Sequence, residues 1–400
     1  MPVISARLDR ISPSQTIAMT QKARELRLAG RDILSLSAGE PDFATPAHIC
    51  EAAVQAIRDG DTHYTDVAGT KQLREAAAAR LNADYSLDYT PDEIIISTGG
   101  KQVIYNVFVA TLNAGDEVVI PSPAWVSYPD IVALADGTPV IIPTSEHEGF
   151  KLTPDALRAA LTPRTKWLVL NSPCNPTGAA YTGAELNALA ELLADFPHVW
   201  VLTDDIYAKL VYDGFEARTI VQVAPQLRSR TVTMNGLSKA YAMTGWRIGY
   251  AAAPAGLIKA LTKLQGQSTS NACSIAQAAG VAALTGSHDF LQPMLAEYKA
   301  RRDLVLSELA KIPDISCATP QGAFYVFPAI KNFLGKRTPQ GRVLSSDEDF
   351  VAALLEEKGV ATVQGRAFLH PGYFRISYAA DRAVLQQACA RIIAFCAELG

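Results

Sequence analysis

A chain of 400 residues, 49% hydrophobic and 19% charged, is long enough for two domains around a large core, and its composition excludes a disordered chain. The net charge of −4 offers no basic footprint for nucleic acid or an anionic membrane, so small molecules are the expected partners. The six cysteines (Cys50, Cys174, Cys273, Cys317, Cys389, Cys396) form no C-x-x-C and no zinc spacing with histidine, and the opening MPVISARLDRISPSQTIAM has no apolar signal core. No run of the ~18 apolar residues needed to span a membrane occurs, so reduced thiols, no metal and a cytoplasmic chain are expected.

The segment up to about Pro46 is too poor in apolar residues to stand alone and is expected to pack on another part of the chain. From about residue 93, short β-branched runs alternate with helical segments: EIIIST, KQVIYNVFVATL, DEVVIPS, a helix around Tyr128–Leu134, TPVIIPT, KWLVLNS, GAELNALAELLADF, VWVLTDD, RTVTMNG and WRIGYAA. Strand alternating with helix implies crossover connections and a largely parallel sheet, and strands lacking two-residue alternation fit a sheet covered on both faces. After about residue 286 the pattern becomes a long helix (FLQPMLAEYKARRDLVLSELAKI), strand-like AFYVFPA, GVATVQG and FRISYAA, and a final amphipathic helix from Arg382. The expected division is a large α/β domain over 47–285 and a smaller α+β domain from 1–46 with 286–400.

Ligands of such sheets bind at the loops beyond the C-terminal strand ends, where the unusual residues of this sequence fall. STGGKQ (97–102) places Gly99 and Gly100 at a helix start, an anion site by virtue of free N–H groups and the helix dipole, but matches neither a nucleotide-binding G-x-G-x-x-G nor a P-loop. Trp125 stands in the proline-rich PSPAWVSYPD, where a tryptophan either fills core or stacks on a ligand ring. In NSPCNPTG (171–178) a tight turn exposes the Asn175 amide. TDD ends a strand with two carboxylates, costly to bury without a cation; Asp204 and Asp205 could each also cap the strand–helix junction.

The strongest signal is NGLSKAYAMTGWRIGY (235–250). Lys239 just past a strand, Ser238 before it and Arg247 eight residues on suit a phosphorylated aldehyde: the amine forms an imine, while hydroxyl and guanidinium meet the phosphate. Arg375 in FRIS lies on an apolar strand and requires a carboxylate partner if buried.

NGLSKAYAMTGWRIGY resembles the cofactor-lysine motif of the class I, fold-type I, pyridoxal-phosphate (PLP)-dependent aminotransferases, in their bacterial aspartate aminotransferase branch, and the likeness extends from SAGEPDFATP to FRISYA. It implies a large domain with a mostly parallel sheet flanked by helices plus a smaller α+β domain, PLP on catalytic Lys239, and ping-pong transfer of the amino group of L-aspartate to 2-oxoglutarate. By the same resemblance Asp204 faces the pyridine nitrogen, Tyr207 and Asn175 bond the ring O3′, and Trp125 stacks on the ring and reaches the substrate. Gly99, Gly100, Lys101, Gln102, Ser238 and Arg247 meet the phosphate, and Tyr64 reaches the phosphate of a neighbouring subunit, which makes a homodimer with shared active sites. Arg375 with Gly39 and Asn175 holds the substrate α-carboxylate, and Lys101, Ser14 and Thr16 hold the distal one. Gln15 in PSQT, Gly236 in place of a phosphate-binding serine, and Arg366 in GRAF depart from the branch pattern. Prephenate, aromatic or other amino-acid transfer, a PLP lyase and a non-catalytic PLP-binding regulator are the alternatives.

Overall fold

The structure, a computed structural model, describes residues 3–400. The chain opens with helix α1 (Gln15–Leu28) and the short strand β1 (Leu34–Ser35), followed by α2 (Ala47–Arg58) and α3 (Lys71–Tyr85), the latter capped by the Thr70 hydroxyl accepting from the Leu73 N–H. Then come β2 (Ile94–Ser97), α4 (Gly100–Thr111), β3 (Glu117–Ser122), α5 (Ser127–Leu134), β4 (Thr138–Pro143), α6 (Pro154–Ala160), β5 (Thr165–Asn171) and α7 (Gly183–Ala194). Two of these helices start on a local signal: Pro154 occupies the first turn of α6, and Thr182 with Glu185 forms a reciprocal capping box on α7. β6 (Trp200–Asp204), α8 (Ile220–Val223), β7 (Thr231–Gly236) and β8 (Gly249–Ala252) complete the strands of the main sheet.

Its order is β2-β8-β7-β6-β5-β3-β4. The neighbours from β7 through β4 pair in parallel, whereas β8 runs antiparallel to both β7 and β2. That reversal has a functional consequence. The loop entering β8, which carries Arg247, lies on the same edge of the sheet as the loops leaving the parallel strands. Central strands are buried along most of their length, with Val201, Leu202, Val232 and Ala251 all inaccessible, which is why apolar residues occupy both faces.

Beyond α9 (Ala255–Gln265) and α10 (Ser274–Thr285), the 19-residue α11 (Leu291–Leu309) leads into β9 (Tyr325–Val326), α12 (Asp347–Lys358), β10 (Val360–Ala361), β11 (Val363–Gln364), β12 (Phe374–Ser377) and α13 (Arg382–Ala397). β11-β12-β9 form an antiparallel sheet and β10 pairs in parallel with β1. The N-terminal segment thus contributes a strand to the C-terminal layer. A single apolar cluster joins Leu34 and Leu36 to Val305, Phe350, Ile376 and Ile392. No helix among the described residues is long and apolar enough to cross a membrane, no cluster of potential metal ligands occurs among them, and all six cysteines are free.

Candidate active site

A cavity of about 1020 Å³ opens where the C-terminal strand ends of the main sheet face α1 and β12. Lys239, three residues beyond β7, lines it from a half-buried position, its Nζ donating to the Gly39 carbonyl at 2.5 Å. Burial holds the ammonium down to about 8; Glu40 opposes this, while the Arg375 and Arg247 charges add to it. A lysine in that state is a usable nucleophile near neutral pH.

Asp204, at the end of β6, accepts from the Tyr128 hydroxyl at 2.6 Å and from the Ile206 N–H at 3.2 Å, and its backbone carbonyl accepts from the Asn171 amide at 2.9 Å. Burial raises it to about 6 against the hydroxyl, the N–H and Lys239. The turn contact and the cavity position coexist, so the local-cap and ligand-facing expectations for Asp204 are compatible. Asp205 departs from the capping expectation: it is buried, takes the Thr203 hydroxyl at 2.7 Å, and is raised to about 7 by burial.

Arg375 is 2% exposed. One terminal nitrogen donates to the Asn175 side-chain oxygen at 2.9 Å and the other to the Ser37 carbonyl at 2.6 Å; its Nε is buried without a partner, and its carbon stands 4.5 Å from the Tyr325 ring centroid and 5.0 Å from that of Phe368. A guanidinium can only donate, so Asn175 must turn its oxygen toward Arg375 and its NH₂ into the cavity. The carboxylate that a buried arginine requires is not supplied by any described residue.

Ser238, Arg247, Gly100, Lys101, Trp125, Tyr207 and Thr16 also line the cavity. Lys101 Nζ is 4.9 Å from the Trp125 ring centroid, and burial and Arg247 lower its affinity for a proton against Asp130. Gly99 packs on Arg247: a Cβ there would collide with the guanidinium, and its φ of 85° suits glycine alone. Ser14 lies outside the cavity lining, its hydroxyl 3.0 Å from that of Thr16, and Tyr64 stands apart at 92% exposure.

Three sequence expectations change. Gln102 does not reach the anion site, because its side chain accepts from the Thr98 N–H and donates to Thr269, both at 2.5 Å. Gln15 points away from the cavity to Gln364, 3.2 Å distant, and so leaves the pocket intact. Arg366 belongs to a structural pair, bonding buried Asp347 at the start of α12 through Nε at 3.0 Å and its backbone N–H at 2.6 Å. At Gly236 a Cβ would lie 3.0–3.2 Å from Ile206, the Ile248 carbonyl and Gly249, so the close approach of β8 accounts for a glycine there.

Residues that sequence reasoning missed complete the site. Tyr128 had a signal, standing three residues after Trp125 on α5. Asn171 had one as a polar end to an apolar strand; it accepts from the Asn175 N–H at 2.9 Å. Ser37 and Tyr325 had none.

These residues fit pyridoxal phosphate. A buried carboxylate without a cationic partner in hydrogen-bonding contact suits a protonated ring nitrogen, a half-buried lysine of lowered proton affinity suits an aldehyde, and the N-terminus of α4 beside Ser238 and Arg247 suits a phosphate. Fold and site together define a fold-type I PLP-dependent enzyme.

The model for aminotransferase class I and II matches residues 31–392. The chain is 54% identical, over the full length of both, to the aspartate/prephenate aminotransferase of Cereibacter sphaeroides. Among solved structures, that of the aspartate aminotransferase of Rhizobium meliloti superposes with a TM-score of 0.97 at 46% identity, each chain covered completely. The aspartate aminotransferase of Thermus thermophilus with maleate superposes at 0.92 and 42% identity, covering 99% of this chain and 100% of that one. The chain belongs to the class I and II aminotransferases, and is a PLP-dependent aminotransferase.

Proposed function

We propose that the enzyme transfers the amino group of L-aspartate to 2-oxoglutarate, giving oxaloacetate and L-glutamate by a ping-pong mechanism. The observation that carries the reading is Arg375, a buried guanidinium beside Lys239 whose missing anion is the α-carboxylate of the substrate. When bound, pyridoxal phosphate supplies the electron sink for the pair left as the substrate Cα–H bond breaks. Asp204 would hold the ring nitrogen protonated, Tyr207 and Asn175 would donate to the phenolic oxygen, and Ser238, Arg247 and the α4 N-terminus would hold the phosphate. Lys239 would take the proton from the substrate Cα and return it, as base and then acid. Trp125, which lines the same cavity, would supply an aromatic face to the ring.

Lys101 is the cation assigned to a distal carboxylate, with Thr16 also lining the cavity and Ser14 bonded to it; Arg24 of α1 is a second cation in the lining. Lys101→Ala should raise KM for aspartate by roughly 10- to 100-fold, the worth of a charged hydrogen bond, and leave KM for alanine nearly unchanged. Equal losses for both substrates would remove Lys101 from the side-chain pocket.

The reading includes a homodimer in which Tyr64 reaches the partner's phosphate site, a two-domain arrangement of 47–285 against 1–46 with 286–400, and a reducing, cytoplasmic setting for six free thiols. Prephenate is the second reading. The breadth of the cavity and the apolar Ile17 and Leu28 on its α1 wall favour it, as do relatives named for both activities. The test is a stoichiometric half-reaction, in which the yellow enzyme is mixed separately with L-aspartate, L-phenylalanine and L-alanine and the visible absorbance is followed. The aminated enzyme is then offered 2-oxoglutarate or prephenate. Rapid bleaching by aspartate and recovery with 2-oxoglutarate is expected; bleaching chiefly by phenylalanine would overturn the dicarboxylate reading, and recovery with prephenate alone would establish the second.

A further inference from the structure

The hydroxyls of Tyr325 and Tyr207 stand 2.8 Å apart, and both side chains are buried. Tyr325 lies on β9, opposite Ser377 of β12, and its ring sits under the guanidinium of Arg375 on the same strand, 4.5 Å from centroid to carbon. A Cβ on Gly39 would approach the Tyr325 hydroxyl to 3.0 Å, so the glycine in SAGEP also makes room for this contact. Sequence reasoning gave Tyr325 no role.

The pair shares one hydrogen in its mutual contact, and either oxygen can donate. If Tyr207 turns its proton to an acceptor in the cavity, only Tyr325 can donate across the 2.8 Å contact. A cation on the face of a phenol draws electron density from it and makes its O–H the stronger donor, and a donated bond in turn strengthens the next bond of the chain. Arg375, Tyr325 and Tyr207 therefore form a line from the substrate-carboxylate position to the cofactor position, separate from the direct Arg375–Asn175 bond.

We propose that Tyr325 is a positioning residue that relays the charge at Arg375 to the Tyr207 hydroxyl and so sets how strongly Tyr207 donates to the phenolic oxygen of the bound cofactor. This rests on the role given to Tyr207 above and is independent of which amino acid is the substrate. A hydrogen bond to that oxygen drains charge from it and weakens its hold on the proton it shares with Lys239 Nζ. Weakening the bond raises the pH at which the yellow absorbance of the lysine-bound cofactor fades.

The experiment is a spectrophotometric pH titration of the purified holoenzyme with no amino acid present, so that a wrong substrate assignment leaves it unaffected. Tyr325→Phe keeps the ring on Arg375 and removes only the hydroxyl; its midpoint should rise by roughly half to one pH unit, the equivalent of one net hydrogen bond. In a Tyr207→Phe background, adding Tyr325→Phe should produce no further shift, because the route through Tyr207 is already broken. An unchanged midpoint in the single variant, or an equal shift in both backgrounds, overturns the relay.

Discussion

Replacing Lys239 with alanine should lower the rate of amine transfer by about 10⁴-fold or more, because one side chain supplies both the attachment point and the moving proton. The loss should come with a structural signature: borohydride treatment, which fixes an imine, should no longer attach cofactor to the chain. Cofactor affinity should fall less than turnover, since Ser238, Arg247 and the α4 N-terminus remain. The wild-type lysine also makes a pH prediction. Its ammonium, depressed by burial to about 8, releases its proton well below the ordinary lysine value of about 10.4. Attack on the aldehyde requires the free amine, so the rate at which cofactor-free enzyme takes up pyridoxal phosphate should climb as pH rises through about 8 and level off above it. A rate still climbing steeply at pH 10 would mean that Lys239 titrates as an exposed lysine.

Replacing Asp204 with asparagine should lower kcat by about 10²–10³-fold, the usual worth of one preorganised electrostatic partner in a buried site, while the enzyme stays yellow. In the proposed mechanism cofactor attachment depends on Lys239, whereas Asp204 would act on the ring charge during proton removal. Retention of kcat within tenfold would refute its role in keeping the ring nitrogen protonated. The same substitution should have the opposite effect on the cofactor-free protein. Asp204 is raised by burial to about 6 from an unfolded value near 3.9, so its contribution to stability is full below the unfolded value and is lost as pH rises through about 6. Asparagine carries no charge to bury. Cofactor-free Asp204→Asn should melt higher than wild type at pH 8 and lose that advantage near pH 4, measured by thermal denaturation without ligand. Function here costs stability, which the cofactor's cation offsets.

The main strands were legible because most carry a short apolar, β-branched run, as in III of β2 and WLVL of β5, which is how a strand buried on both faces is written. The helix in GAELNALAELLADF was likewise legible, and the structure places it at Gly183–Ala194. Lys239, Asp204, Asn175 and Arg247 lie at or near strand ends, where a covered sheet leaves room for a ligand, and their roles came from the resemblance of the motifs around them to those of class I aminotransferases. Tyr325 sits inside the apolar stretch AFYVFPA and looks like any core residue; its hydroxyl acquires a purpose only when β9 is laid beside β12 and Tyr207 is brought from 118 positions earlier in the chain. Gln102 misled for the converse reason: its place in the GGKQ turn suggested the anion site, but its partners Thr98 and Thr269 take its amide elsewhere.

By itself the sequence determined the alternating α/β architecture, the lysine-centred chemistry and the residues at the strand ends, since periodicity, turn residues and charge placement are properties of neighbouring positions. Only the tertiary structure decided that β8 runs antiparallel and brings Arg247 to the cavity edge of the sheet, that α1 and Ser37 line the cavity, and that Arg375 has no acidic partner among the described residues. Those facts depend on strand order and on contacts between residues hundreds of positions apart, which local patterning does not encode.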